Sequence, residues 1–377
     1  MLPDTTMTVR TQVPPRTATP VQGLSKDMLV ALSRNARAED RARMDIGASV
    51  ALLRQSGLLR AASQVQGRAN TAGAVRCLML LAQANMSVAR LYEGHVNAVD
   101  LVHRFGNADL QRRVAAEIDA GALFGVWGAD GDKPARLAAD GRSLTGGKRF
   151  ASGLGHVTRA IVTLGTGADV RLALVDADAP DRQDLAGWSM TGMRASVSGN
   201  FDLSGLDRTA FQLFGAPGDY HSEPGFVTGV WRIAAIQLGG TFGLLEAARQ
   251  RLRQLDRLES DAQIARLTGI LQRALAGVGL VERAAEVAVS SDGIVDPGRA
   301  VALSILARLE TEEIGQAAIA AIERGIGLQH FDEVSDTGRI ARDLAVYMRQ
   351  VARDAFAQRA GRTAFCAQHD LLELWHG

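Results

Sequence analysis

A change of periodicity near Leu123, reversed near Pro217, is the feature that most limits what this chain can fold into. From Ser25 to about Ala122 apolar residues recur at helical spacing: Met28, Leu29 and Leu32, then Met44, Val50, Leu53 and Leu58, with Gly57 placed to stop that stretch. A long apolar segment runs from Thr71 to Phe105. Gly106 is expected to close it as a C-cap, Asn107 to cap the next helix, and Leu110, Val114 and Ile118 to form that helix's buried face. Between Leu123 and Pro217 glycines become frequent and short β-prone runs appear at 160–165, 170–176 and 201–206, separated by turn residues. They predict an antiparallel, largely self-contained β domain, with the loop 216–225 as its exit.

Helical spacing returns from Phe226 to Gly377. Ile236, Leu238, Phe242, Leu245 and Ala248 fit one buried face, and Ile264, Leu267, Leu271 and Leu275 fit another. Asp296-Pro297 is expected to start a further long helix. The reading is therefore α+β: a leader at 1–24, an N-terminal helical domain at 25–122, a middle β-barrel or sandwich domain at 123–217, and a C-terminal helical bundle at 218–377.

Composition excludes several function classes. A net charge of +1, from 42 basic and 41 acidic residues, gives no general attraction to nucleic acid or to an anionic membrane. No run of eighteen apolar residues predicts a transmembrane span, and the threonine- and proline-rich leader lacks the apolar core of a secretory signal. Two cysteines, Cys77 and Cys366, without CxxC spacing make disulfide scaffolds and metal sites unexpected, and point to a reduced, cytoplasmic setting.

Four segments carry more. They are 117–132 (EIDAGALFGVWGADGD), 145–153 (TGGKRFASG), 188–198 (WSMTGMRASVS) and 325–343 (GIGLQHFDEVSDTGRIARD). Their order and spacing over about 350 residues resemble the acyl-CoA dehydrogenase superfamily of flavoproteins. The resemblance implies FAD, held with Val126, Trp127 and Gly128 on one strand and Phe150 and Ser152 on another facing the flavin ring. It also implies that the backbone of Gly327 and Leu328, beside His330, meets the adenine of a neighbouring subunit, so a homodimer or homotetramer is expected. Arg194 is expected to hold the β domain together.

The match breaks at the catalytic base. The position usual for glutamate holds Val351, and the alternative stretch 229–240 (GVWRIAAIQLGG) has no carboxylate. Glu93, on a helix that lines the acyl cavity in the resembling family, is one substitute: burial in an apolar bundle would suit it to acid–base work. Asn97 lies one helical turn on and faces the same way, with His95 between them. Asp354 and Gln350 flank Val351, the first as a displaced carboxylate and the second as a hydrogen-bonding group. The arginine element that binds the FAD pyrophosphate is also missing, leaving Arg251, Arg253 or Arg257 to pair with phosphate.

What the resemblance implies is an oxidoreductase acting on the CH–CH bond of a short or functionalised acyl thioester, with Glu93, Asn97 and Val351 around the substrate and an electron acceptor or flavin reductase as partner. The missing base equally fits a flavin-dependent monooxygenase of the same fold, which has no α-proton to remove, or a degenerate binding protein.

Overall fold

The computed structural model describes residues 23–62, 71–350, 352–367 and 370–376; nearly all of the expected leader, Val351 and His369 lie outside them. Six helices come first: α1 (Lys26–Asp40), α2 (Gly47–Gln55), α3 (Leu58–Ala61), α4 (Thr71–Ala84), α5 (Met86–Phe105) and α6 (Ala108–Asp119). The apolar segment from Thr71 to Phe105 is thus two helices. Asn85 leaves the helical conformation (φ −157°), and its side chain accepts the Val88 N–H, so one residue ends α4 and caps α5. Gly106 closes α5 in an extended rather than a left-handed conformation, and Asn107 caps α6 through the Leu110 N–H.

Nine strands follow among the described residues: β1 (Phe124–Trp127), β2 (Arg136–Leu137), β3 (Leu144–Thr145), β4 (Gly147–Ala151), β5 (Arg159–Leu164), β6 (Arg171–Asp176), β7 (Gln183–Asp184), β8 (Gly199–Asp202) and β9 (Phe211–Phe214). They form a four-stranded sheet in the order β1-β5-β6-β9, a three-stranded sheet β4-β8-β7, and the pair β2-β3. Pairing is antiparallel except between β1 and β5, which run parallel, Phe124 opposite Arg159. The purely antiparallel expectation fails there because β1 enters from the helical domain and joins the sheet edge without a hairpin.

The C-terminal part comprises α7 (Gly225–Thr228), α8 (Trp231–Gln254), α9 (Asp261–Ala288), α10 (Ser291–Val295), α11 (Pro297–Ile326), α12 (Asp336–Tyr347), α13 (Arg353–Phe365) and α14 (Glu373–His376). Asp296 caps α11 with Pro297 in its first turn. α8 packs closely on α4 because Gly239 and Gly243 present no side chain: a Cβ at Gly239 would stand 2.3 Å from the Met79 carbonyl oxygen. One hydrophobic core runs through all three parts, from Leu32 through Val162 to Leu344, so the β domain is not self-contained.

α9 departs from expectation. By length and composition it is apolar enough to cross a bilayer. The face that packs on α8 and α11 is built from Ile270, Ala274, Gly277, Val281 and Ala284, whereas Ile264, Leu271 and Leu275 are 48%, 44% and 57% exposed. The helix has two apolar faces, and the small residues win the core because they allow the closer approach.

Candidate functional site

α5 runs through the centre of the molecule. Between Met86 and Val102 only Arg90, Asn97 and Asp100 are not buried, and their spacing puts them on one stripe of the helix. Glu93 lies between them at 3% exposure. Arg90 Nη1 donates to one of its carboxylate oxygens and Asn97 Nδ2 to the other. The apolar surroundings expected for Glu93 are therefore absent. Both oxygens are engaged, which suits a carboxylate that orients other groups rather than one free to take a proton.

Two tyrosines from distant segments complete this cluster. Tyr220, in the loop before α7, and Tyr347, at the end of α12, both lie within the electrostatic reach of Glu93 and Arg90. Burial, reinforced by the Glu93 charge, pushes the Tyr220 phenol up to about 12 and the Tyr347 phenol well above its usual range, so both remain protonated donors at neutral pH. The Tyr220 hydroxyl is 3.3 Å from where a Cβ on Gly128 would stand, which places it against the end of β1. Beyond Asn97 the α5 stripe continues to Asp100, which pairs with Arg232 of α8 at 3.5 Å.

His95 faces the opposite way. Its Nδ1 accepts the Phe124 N–H, so the ring proton sits on Nε2 and is donated to the Leu59 carbonyl. Burial lowers its pKa to about 4, and the neutral ring ties α5 to β1 and α3.

β1 packs on α5 beside Glu93, and β4 lies against β1. Gly94 of α5 faces Gly125 and Val126, and Gly128 leaves its backbone exposed at the strand end. Trp127 is 2% exposed, packs on Phe201 and donates to the Ser152 carbonyl at 3.1 Å, so its ring belongs to the core. Buried Lys148 locks the two strands together through Asp130 (2.6 Å), Thr163 (2.8 Å) and the Gly128 carbonyl (3.3 Å). The β4–β8 register shifts between Lys148 and Ala151, and Phe150 takes φ +56° there. That bulge turns its ring outward, edge-on to Trp188 with centroids 5.9 Å apart. Ser152 ends a chain of serine hydroxyls: its Oγ lies 3.0 Å from Ser198 Oγ, which lies 2.7 Å from Ser196 Oγ, and Ser196 donates to the Met193 carbonyl. An exposed aromatic ring, an exposed strand end and a serine hydroxyl fit a planar heteroaromatic group such as a flavin ring.

The remaining sequence candidates lie elsewhere. Gln350 donates its side-chain amide to the Tyr347 carbonyl, closing the end of α12, and its own carbonyl accepts from Arg308. Asp354 is an exposed charge paired with Arg353. Gly327 ends α11 with φ +74°, and Leu328 is 88% exposed, both at the surface. Arg251 lines a polar surface hollow and donates to Gln254 and Gln329. Arg194 is exposed; beside it Gly192 lies against the Arg342 backbone and the Met193 N–H donates to Asp343 at 2.6 Å, which joins the turn to α12. Among the described residues no group of three side chains converges as a metal site.

Sequence reasoning found Glu93 and Asn97 but missed Arg90, Tyr220 and Tyr347. A usable signal existed: tyrosine is scarce, with three in the whole chain, and two of them stand here.

No family model and no curated protein matches this chain. Solved structures do. The FMN-bound structure of TdsC from Paenibacillus sp. A11-2, elsewhere described as a dibenzothiophene monooxygenase, superposes with a TM-score of 0.76 at 17% identity, covering 93% of this chain and 99% of that one. A nitrososynthase from Micromonospora carbonacea var. africana gives 0.75 at 19% identity, covering 92% and 96%. KijD3 in complex with dTDP gives 0.73 at 18%, covering 90% and 95%. This chain has the fold of the acyl-CoA dehydrogenases: an N-terminal helical domain, a middle sheet domain and a C-terminal helical bundle.

Proposed function

We propose that the protein is a flavin-dependent monooxygenase working on a small polar substrate beside Glu93. The observation that carries this is the engagement of both Glu93 oxygens by Arg90 and Asn97, which leaves that carboxylate unsuited to removing an α-proton. The oxygenase reading therefore stands ahead of thioester dehydrogenation. The structural likeness to an FMN-bound monooxygenase supports it.

When bound, reduced flavin supplies the oxygen chemistry. The chain's own residues hold and orient. Phe150 and Trp188, the Ser152 hydroxyl and the β1 backbone at Val126 and Gly128 are the groups that would hold the flavin ring. Tyr220 and Tyr347 stay protonated and so act as donors toward the substrate. FMN is the first flavin to test and FAD the second, with a flavin reductase as the electron-supplying partner. We further infer a homodimer or homotetramer, for which the apolar stripe on α9 is the supporting feature.

Titration with FMN and with FAD, followed by quenching of flavin fluorescence, tests the first step. The reading expects saturable uptake, and oxygen consumption when NADH and a flavin reductase are added. Absence of uptake, or anaerobic bleaching of the oxidised holoprotein by short acyl-CoAs, would overturn it.

A further inference from the structure

Asn97 is oriented by its neighbour. A carboxylate only accepts hydrogen bonds, so the contact with Glu93 must be made by the amide Nδ2, and Oδ1 is turned elsewhere. That Oδ1 is buried and has no hydrogen-bond partner. The Tyr347 hydroxyl, on a side chain 5% exposed, is buried and unpartnered too. These two orphan atoms come from α5 and α12, which pack on each other; Asn97 touches Glu93, and Tyr347 lies within the electrostatic reach of Glu93 and Arg90. Polar atoms so buried are normally satisfied, by protein, water or ligand, and leaving one unpaired is costly.

We propose that the substrate carries an N–H or O–H group next to a hydrogen-bond acceptor, donating to Asn97 Oδ1 and accepting from Tyr347. This rests on the proposed function only in taking the Glu93 junction as the substrate's place. The two requirements select a chemical class. A thioester offers only acceptors at its reacting carbons and would leave Asn97 Oδ1 unpaired, whereas an amine, a hydroxylamine, a phenol or an N–H heterocycle satisfies both atoms. The charge of Glu93 strengthens the demand: through Nδ2 it polarises the amide and makes Oδ1 a better acceptor.

The test uses matched small probes and ligand-observed NMR titration of the full chain, with and without flavin. Aniline and phenol share the shape of toluene but carry a donor; N,N-dimethylaniline and anisole are their capped counterparts. Aniline and phenol are expected to bind about tenfold more tightly than toluene and than their capped forms. Asn97→Leu should reduce each ratio to within about twofold, and Tyr347→Phe should remove the advantage of anisole over toluene. The wild-type series needs no variant, so a poorly folding substitution does not decide the matter. Equal binding of toluene, aniline and phenol, or no binding by either donor, overturns the proposal. Failure to take up flavin would sink the monooxygenase reading while leaving the donor preference measurable on the chain alone.

Discussion

His95 and Asp343 are buried ionisable groups whose pH responses oppose each other. Burial holds His95 at about 4 in the folded chain, so between that value and about 6.5 the unfolded chain binds the extra proton and acid favours unfolding. Burial also raises Asp343 to about 6, ahead of the opposing pull of Arg339 and the Met193 N–H. A raised carboxyl works the other way: its stabilising contribution is present in acid and is lost as pH rises through about 6. The two windows overlap between about pH 4 and 6, and there they largely cancel. Asp343→Asn keeps an acceptor for the Met193 N–H while removing the titration. The variant should therefore lose ground against the native protein by about 3 kcal/mol as pH falls from 7 to 4, read from urea midpoints. A difference that stays constant with pH would refute the assignment of the raised carboxyl. At neutral pH the same substitution also takes the charged partner from buried Arg339, 3.7 Å away, so a loss of stability is expected there as well.

The turn at 192–196 and α12 form a joint that depends on an absent side chain. A Cβ on Gly192 would stand 2.1 Å from the Arg342 carbonyl oxygen, a backbone atom that cannot swing aside. Gly192→Ala is expected to lower stability by about 3 kcal/mol and to open the 183–198 segment to limited proteolysis. Gly269→Ala, inside α9 with nothing within 4 Å, should instead be neutral or stabilising by up to about 1 kcal/mol. Thermal melts of the pair separate a packing requirement from helix propensity. This joint also explains how much of the fold was legible beforehand. The segments 188–198 and 325–343 stand far apart in the sequence; in space Gly192 and Met193 of one lie on Arg342 and Asp343 of the other. The strand carrying Lys148 was legible for a similar reason, since its lysine is a buried cross-link to β1. What escaped depended on tertiary choice. Asn85 could continue a helix or cap one, and β1 could meet a hairpin partner or β5. Nor does local pattern place Tyr220 and Tyr347 beside Glu93, because the loop and the α12 end that carry them meet α5 only once the three parts have packed.

At the scale of the whole molecule the apolar stripe of α9 is the feature a single chain leaves unresolved. Periodicity cannot say which of two apolar faces enters the core. Here the face with Ala274, Gly277 and Ala284 packs inside, while the larger Ile264, Leu271 and Leu275 point outward on a helix of 28 residues. Burying side chains of that size is worth about 1.5–3 kcal/mol each before the costs of association, so a second copy of the chain is a reasonable cover for them. The substitutions that test this are Leu271→Glu and Leu275→Glu together. Both positions are exposed in the single chain, so the fold should survive, with a far-UV spectrum and melting profile of one chain unchanged apart from any stability that assembly adds. Sedimentation velocity should show the native protein as a dimer or tetramer and the double variant as a 40.0 kDa monomer. If flavin affinity falls in the same variant by about tenfold or more, assembly and cofactor binding are linked, as they would be if a neighbouring subunit completes the flavin site near Gly327 and Leu328. If the native protein is itself monomeric, the α9 stripe is not a self-association surface and the homo-oligomer falls with it.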